Sequence, residues 1–161
     1  MEKNKEKSAS GNVQVLKQVS SEHSLSEEEW KERMSSDESY TTTLEAKKAG
    51  FVGELTVQYG WKNNGTTLEL STLQYRIAQP SGKEWGNKAN VNILLMGGNF
   101  WADESPDSMW QDGDWHSYYR RGEVLAYQQA VLLVTFIFDK SGQDETGYAV
   151  TILRNPSGAN N

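Results

Sequence analysis

The chain has 161 residues, a net charge of −6, 11% aromatic residues and no cysteine. That length suits one domain with a real core, and the missing cysteines remove disulfides, thiolate metal sites and Cys nucleophiles together. The acidic balance argues against a nucleic-acid backbone as partner, and no apolar run approaches the roughly 18 residues of a transmembrane helix.

The first stretch, "MEKNKEKSASGN", carries charge but no apolar core, so no Sec-type signal is read in it and the compartment stays open. Residues 1–20 read as a flexible leader, although "VQVLKQV" (13–19) has strand-like residues. Residues 21–38 read as a short capped helix with a linker. Ser26 is an N-cap and Glu29, three residues on, completes a capping box. Leu25 and Trp30 have the spacing of a hydrophobic staple, and Trp30 and Met34 share one face.

From residue 39 the apolar period changes from 3.6 to 2, and residues 39–155 are expected to form a β domain followed by a loose tail at 156–161. Tyr40, Thr42, Leu44 and Ala46 suggest a first strand. In "FVGELTVQYGW" Phe51, Leu55, Val57, Tyr59 and Trp61 alternate with polar residues, as in a half-buried strand. Asn64-Gly65 predicts a two-residue type I′ hairpin that sets Trp61 opposite Leu68 and Tyr59 opposite Leu70. Further on the apolar phase slips by one. A β-bulge near Ser71 or Thr72 repairs it, setting Val57 opposite Leu73 and Leu55 opposite Tyr75.

"PSG" (80–82) reads as a turn, and Trp85 beyond it sits in a polar stretch with no apolar partner nearby. "ANVNILLM" (89–96) is a strand with Val91, Ile93 and Leu95 on one face. "QAVLLVTFIFD" (129–139) is apolar on both faces, as a central strand covered on each side would be, and "YAVTIL" (148–153) is a last strand. Short β-branched and aromatic strands at irregular spacing, with no helical crossover, predict an all-β fold. The architecture expected is an antiparallel β-sandwich of Greek-key type, with one short N-terminal helix.

One segment has no strand period: "FWADESPDSMWQDGDWHSYYRR", residues 100–121. Residues 89–119 hold five acids and no Lys or Arg. Catalytic residues are not assigned. The two histidines, His23 and His116, stand in no nucleophile motif, and a pair of carboxylates can be picked from any acidic loop. The stretch "DGDWHSYYRRGE" comes near a metal-binding loop. Asp112, Asp114 and Glu123 fall at positions 1, 3 and 12 of a would-be EF-hand, but His116 and Ser117 stand where a ligand oxygen and a glycine are needed. An irregular Ca²⁺ site from Asp103, Glu104, Asp107, Asp112 and Asp114 remains a candidate; no other cofactor is implied.

The aromatics give the stronger pointer. Trp101, Trp110 and Trp115 either fold back to cap an open end of the sandwich or form an exposed platform. A platform beside carboxylates suits sugars, whose ring faces stack on indole while hydroxyls pair with acids. The reading is therefore a non-enzymatic binding module with its ligand surface on residues 98–121, built from Trp101, Trp110, Asp112, Asp114, Trp115, Tyr118 and Tyr119. Carbohydrate is the first ligand class. A protein partner using the same acidic aromatic patch is the first alternative, since "WHSYYRR" also has interface composition. A membrane-active, pore-forming type of sandwich with a mobile leader is the second, though anionic lipid would repel its net charge.

Overall fold

The computed structural model describes residues 38–79 and 86–156. Among these, nine strands form two antiparallel sheets packed face to face. The first sheet contains β1 (Tyr40–Lys48), β2 (Phe51–Lys62) and β3 (Thr67–Ala78) in that order. The two short strands β6 (His116–Ser117) and β7 (Arg121–Leu125) both pair with β3 and so share its free side. The second sheet has the order β5-β4-β8-β9, with β4 at Asn90–Met96, β5 at Phe100–Glu104, β8 at Gln129–Phe138 and β9 at Glu145–Arg154. The chain crosses between sheets after β3, after β5 and after β7, and the sandwich is all-β as its period-2 pattern predicts. The expected N-terminal helix, with Trp30 and Met34, falls outside the described residues, as do residues 1–20 and Trp85.

The core is the interleaved inner faces. Leu55, Val57, Leu68, Leu70 and Ile77 of the first sheet meet Val91, Leu95, Leu132, Val134 and Phe136 of the second, all essentially solvent-free. The sheets approach closely where Gly53 sits under the Phe136 ring and Gly122 under Trp101.

The β2–β3 hairpin holds the expected register: Trp61 faces Leu68, Tyr59 faces Leu70 and Leu55 faces Tyr75. The turn spans Asn63–Thr66 between paired Lys62 and Thr67, with Asn63, Asn64 and Gly65 at φ of 54°, 57° and 80°. The bulge falls one residue later than the expectation. Val57 faces Thr72, and Leu73 is the extra residue. The chain on the other side of β3 accommodates it. Thr72 N–H donates to Arg120 C=O at 2.9 Å, and its Oγ1 accepts the Arg120 N–H at 2.7 Å.

Two expectations are corrected. Segment 100–121 contains three strands, β5, β6 and the start of β7, and so has more regular structure than its composition suggests. The strand at 129–139 is central, between β4 and β9, but only one of its faces is fully covered. Ala130, Leu132, Val134, Phe136 and Phe138 are buried, whereas Val131, Leu133 and Ile137 on the opposite face are half-buried.

Candidate functional site

Segment 100–121 closes one end of the sandwich, and it does so by alternation. Trp101, on β5, points inward and is 2% exposed, pressed over Gly122. Ser105, Met109, Gln111 and Tyr118 are also buried. Ser105 Oγ accepts the Val91 N–H at 2.9 Å, and Met109 forms a two-way backbone bridge with Ala89. Gln111 is fully buried and clamps the loop to the end of β8. Its amide donates to Asp139 C=O at 2.7 Å and its side-chain oxygen accepts the Asp139 N–H at 3.1 Å. These bonds satisfy backbone groups that a loop over a core would otherwise strand.

The residues between the inward ones face out. Trp110 is 47% exposed and Trp115 38%. The Trp110 N–H donates to the Tyr75 hydroxyl at 2.7 Å, and Gly113 N–H donates to Ile77 C=O at 2.9 Å. Gly113 itself stands at φ 82°. The indoles are thus carried on backbone fixed to β3 at Trp110 and at Gly113.

Two neighbouring residues of β3 organise what lies around them. Tyr75 stacks on His116, with centroids 5.4 Å apart, and meets Tyr118 edge-on. Burial pushes the Tyr75 phenol up to about 12. The His116 Nε2 reaches both Asp112 carboxylate oxygens, at 2.8 and 3.0 Å. Asp112 also accepts the Asp114 N–H at 3.0 Å. Burial alone would raise the Asp112 carboxyl, but these hydrogen bonds hold it below its ordinary value. Arg76, next along, lays its guanidinium 4.8 Å from the centroid of the Trp115 ring. It donates to Glu54 at 2.9 Å and 2.6 Å, through Nε and Nη2 onto a single oxygen. A cation over an indole face is favourable, and the Glu54 pairing fixes where that cation stands.

The sequence-derived residues therefore divide. Trp110, Asp112, Asp114 and Trp115 share one outward turn. Trp101 and Tyr118 are in the core and offer a ligand no face. Tyr119 is 38% exposed, and its carbonyl accepts from Arg120 Nη1 at 3.3 Å. The five acids are dispersed, and two of them have a basic partner that the sequence reading did not assign. Asp103 accepts from Arg120 Nε at 2.9 Å, and burial keeps its carboxyl above its usual value against that pull. Asp112 has His116. Among the described residues no group of three His, Cys, Asp or Glu is placed to hold a metal, so the set Asp103, Glu104, Asp107, Asp112 and Asp114 does not converge.

Arg76 and Glu54 complete the outward surface above the buried Tyr75, and both were missed from sequence. A signal for one pair existed: the register that sets Leu55 opposite Tyr75 also sets Glu54 opposite Arg76. No family model matches the chain, and no curated protein matches it.

Proposed function

We propose that this chain is a binding module, and that its ligand surface is the turn 110–115 with Arg76 and Glu54 of the sheet beneath it. The ligand class is carbohydrate. The observation that carries this reading is the pair of half-exposed indoles, Trp110 and Trp115, held on backbone that is already hydrogen-bonded to β3. Exposed tryptophan costs solubility, and a platform fixed before binding loses little entropy when a ligand arrives.

The polar groups beside the rings suit hydroxyls. Asp112 and Asp114 offer acceptors, while His116 and Arg76 offer donors. Arg76 occupies one face of Trp115, so a sugar would stack on the opposite face or on Trp110. Trp101 and Tyr118 serve this surface only by supporting the loop from within.

The test is a glycan array probed with the parent chain and with Trp110→Ala and Trp115→Ala, beside thermal melts of all three. The reading expects a glycan bound by the parent, lost in at least one variant, with melting temperatures only modestly lowered. Binding should resist added salt, whereas a basic protein partner held by Asp112 and Asp114 should weaken. A parent that binds no glycan, or variants that bind as well as the parent, would remove carbohydrate as the ligand.

A further inference from the structure

The outer face of the second sheet is apolar, and it is exposed. Strand pairing lines up a row of Phe100, Met96, Val131 and Ile152 across all four strands. The next row is Ala102, Leu94, Leu133 and Val150. Phe100 is 69% exposed, Val150 62%, Ile152 44%, and Tyr148 in the third row 64%. The first sheet treats its outer face differently. There Glu54 pairs with Arg76, and Lys62 pairs with Glu69 and Glu123. An apolar face on one sheet and ion pairs on the other mark the apolar one as a contact surface, since monomers rarely leave such a patch to water.

We infer that this face is the contact between two copies of the chain. Three features select that occupant. First, the two apolar rows hold no charge, so they offer nothing to a basic or acidic partner; Glu104 and Arg154 stand only at the margin. Two copies with net charge −6 repel at long range, and a charge-free face adds no local repulsion to that, whereas anionic lipid is repelled. Second, the patch has an interface's layout, an apolar centre bordered by Asn92, Thr135, Gln129 and Arg154. Third, the area is of the right order. Two aromatic rings that would each bury roughly 150–250 Å² sit on it largely exposed. With two aliphatic rows beside them the face approaches the about 800 Å² per partner of a standard interface. A flat sheet face is also self-complementary about a twofold axis, as in the stacking of the two sheets within one molecule.

Sedimentation velocity of the full chain across a wide concentration range tests this. A monomer–dimer equilibrium is expected. Val150→Asp and Phe100→Ser should each weaken it by about 30-fold or more, the loss typical of a hot-spot residue. Their thermal melts should match the parent monomer, since both side chains are mostly exposed; agreement between the two variants guards against a local folding defect in either. Glu45→Gln, on the other sheet, should change nothing. A parent that stays monomeric at the highest soluble concentration overturns the inference, as does a dimer untouched by both variants. A monomer that binds neutral phosphatidylcholine vesicles through Val150 assigns the face to lipid instead. A chain lacking residues 1–37 that dimerises where the full chain does not assigns it to that segment.

Discussion

Gly122 lies directly beneath the indole of Trp101, with no room for a methyl group between them. The contact joins β7 of one sheet to β5 of the other. A Cβ on residue 122 would run into the ring atoms themselves, and a buried indole has no flexible end to swing aside. Gly122→Ala should therefore destabilise by about 2–3 kcal/mol, near the top of the range for overpacking. Gly53→Ala, beneath the Phe136 ring, should act in the same sense. Chemical denaturation of both variants checks this, and a loss near zero in either would mean the sheets can separate locally without cost.

The two hairpin turns of the first sheet make opposite predictions. Gly65 stands at φ 80°, so Gly65→Val should lose about 1–2 kcal/mol, because a β-branched residue resists that region. Ala49, at φ 53°, is an alanine where type I′ geometry favours asparagine or glycine. Ala49→Asn should raise stability by up to about 1 kcal/mol, read as a higher melting temperature. A lower one would show that the Ala49 methyl is used in packing.

The β2–β3 hairpin was readable because a strand's period of 2 leaves one register that buries an apolar face. The bulge was legible for the same reason, yet its residue was not. Sequence phase places one extra residue near Ser71 or Thr72, while the choice of Leu73 depends on Thr72 bonding across to Arg120 and Tyr118. The loop was harder. Met109 and Gln111 point in and Trp110 points out, so a glutamine occupies a core position and a tryptophan the surface. Hydrophobicity misassigns both. Gln111 can be buried because Asp139 satisfies both ends of its amide, and that partner lies 28 residues away in sequence. Trp101 was misjudged because β5 is short and its neighbour Phe100 faces outward, which hides the alternation.

Asp112 sets a pH dependence. Its carboxyl lies below its ordinary value of 3.8, since the hydrogen bonds from His116 and Asp114 outweigh burial. A carboxyl depressed in the folded state adds stability that is fully present above its unfolded value. That stability is lost as the pH falls through the folded one. Asp112→Asn keeps the shape and removes the charge. The parent should melt higher than this variant around pH 6, and the gap should close as the pH drops below 3.8. A gap that holds constant into acid would mean the Asp112 charge does not contribute.

The tryptophans of the loop should separate by what each one touches. Trp101 is 2% exposed and packs on Gly122, so Trp101→Ala leaves a large cavity between the sheets and should cost about 3–5 kcal/mol. Trp115 is 38% exposed, and the Arg76 guanidinium lies over its ring. A cation–π contact at an exposed site is worth about 0.5–1 kcal/mol, and Trp115→Ala also gives up the covered part of the ring, so its loss should exceed that but stay well below that of Trp101→Ala. Trp110→Ala should also be mild. The hydrogen bond to the Tyr75 hydroxyl comes from the backbone N–H of residue 110 and survives loss of the indole. Three denaturation curves decide the matter. One steep loss with two small ones assigns the inner ring to the lid and leaves the outer two free for a ligand. Three losses of similar size would make the whole segment a lid, and the exposure of Trp110 and Trp115 would then carry no functional meaning.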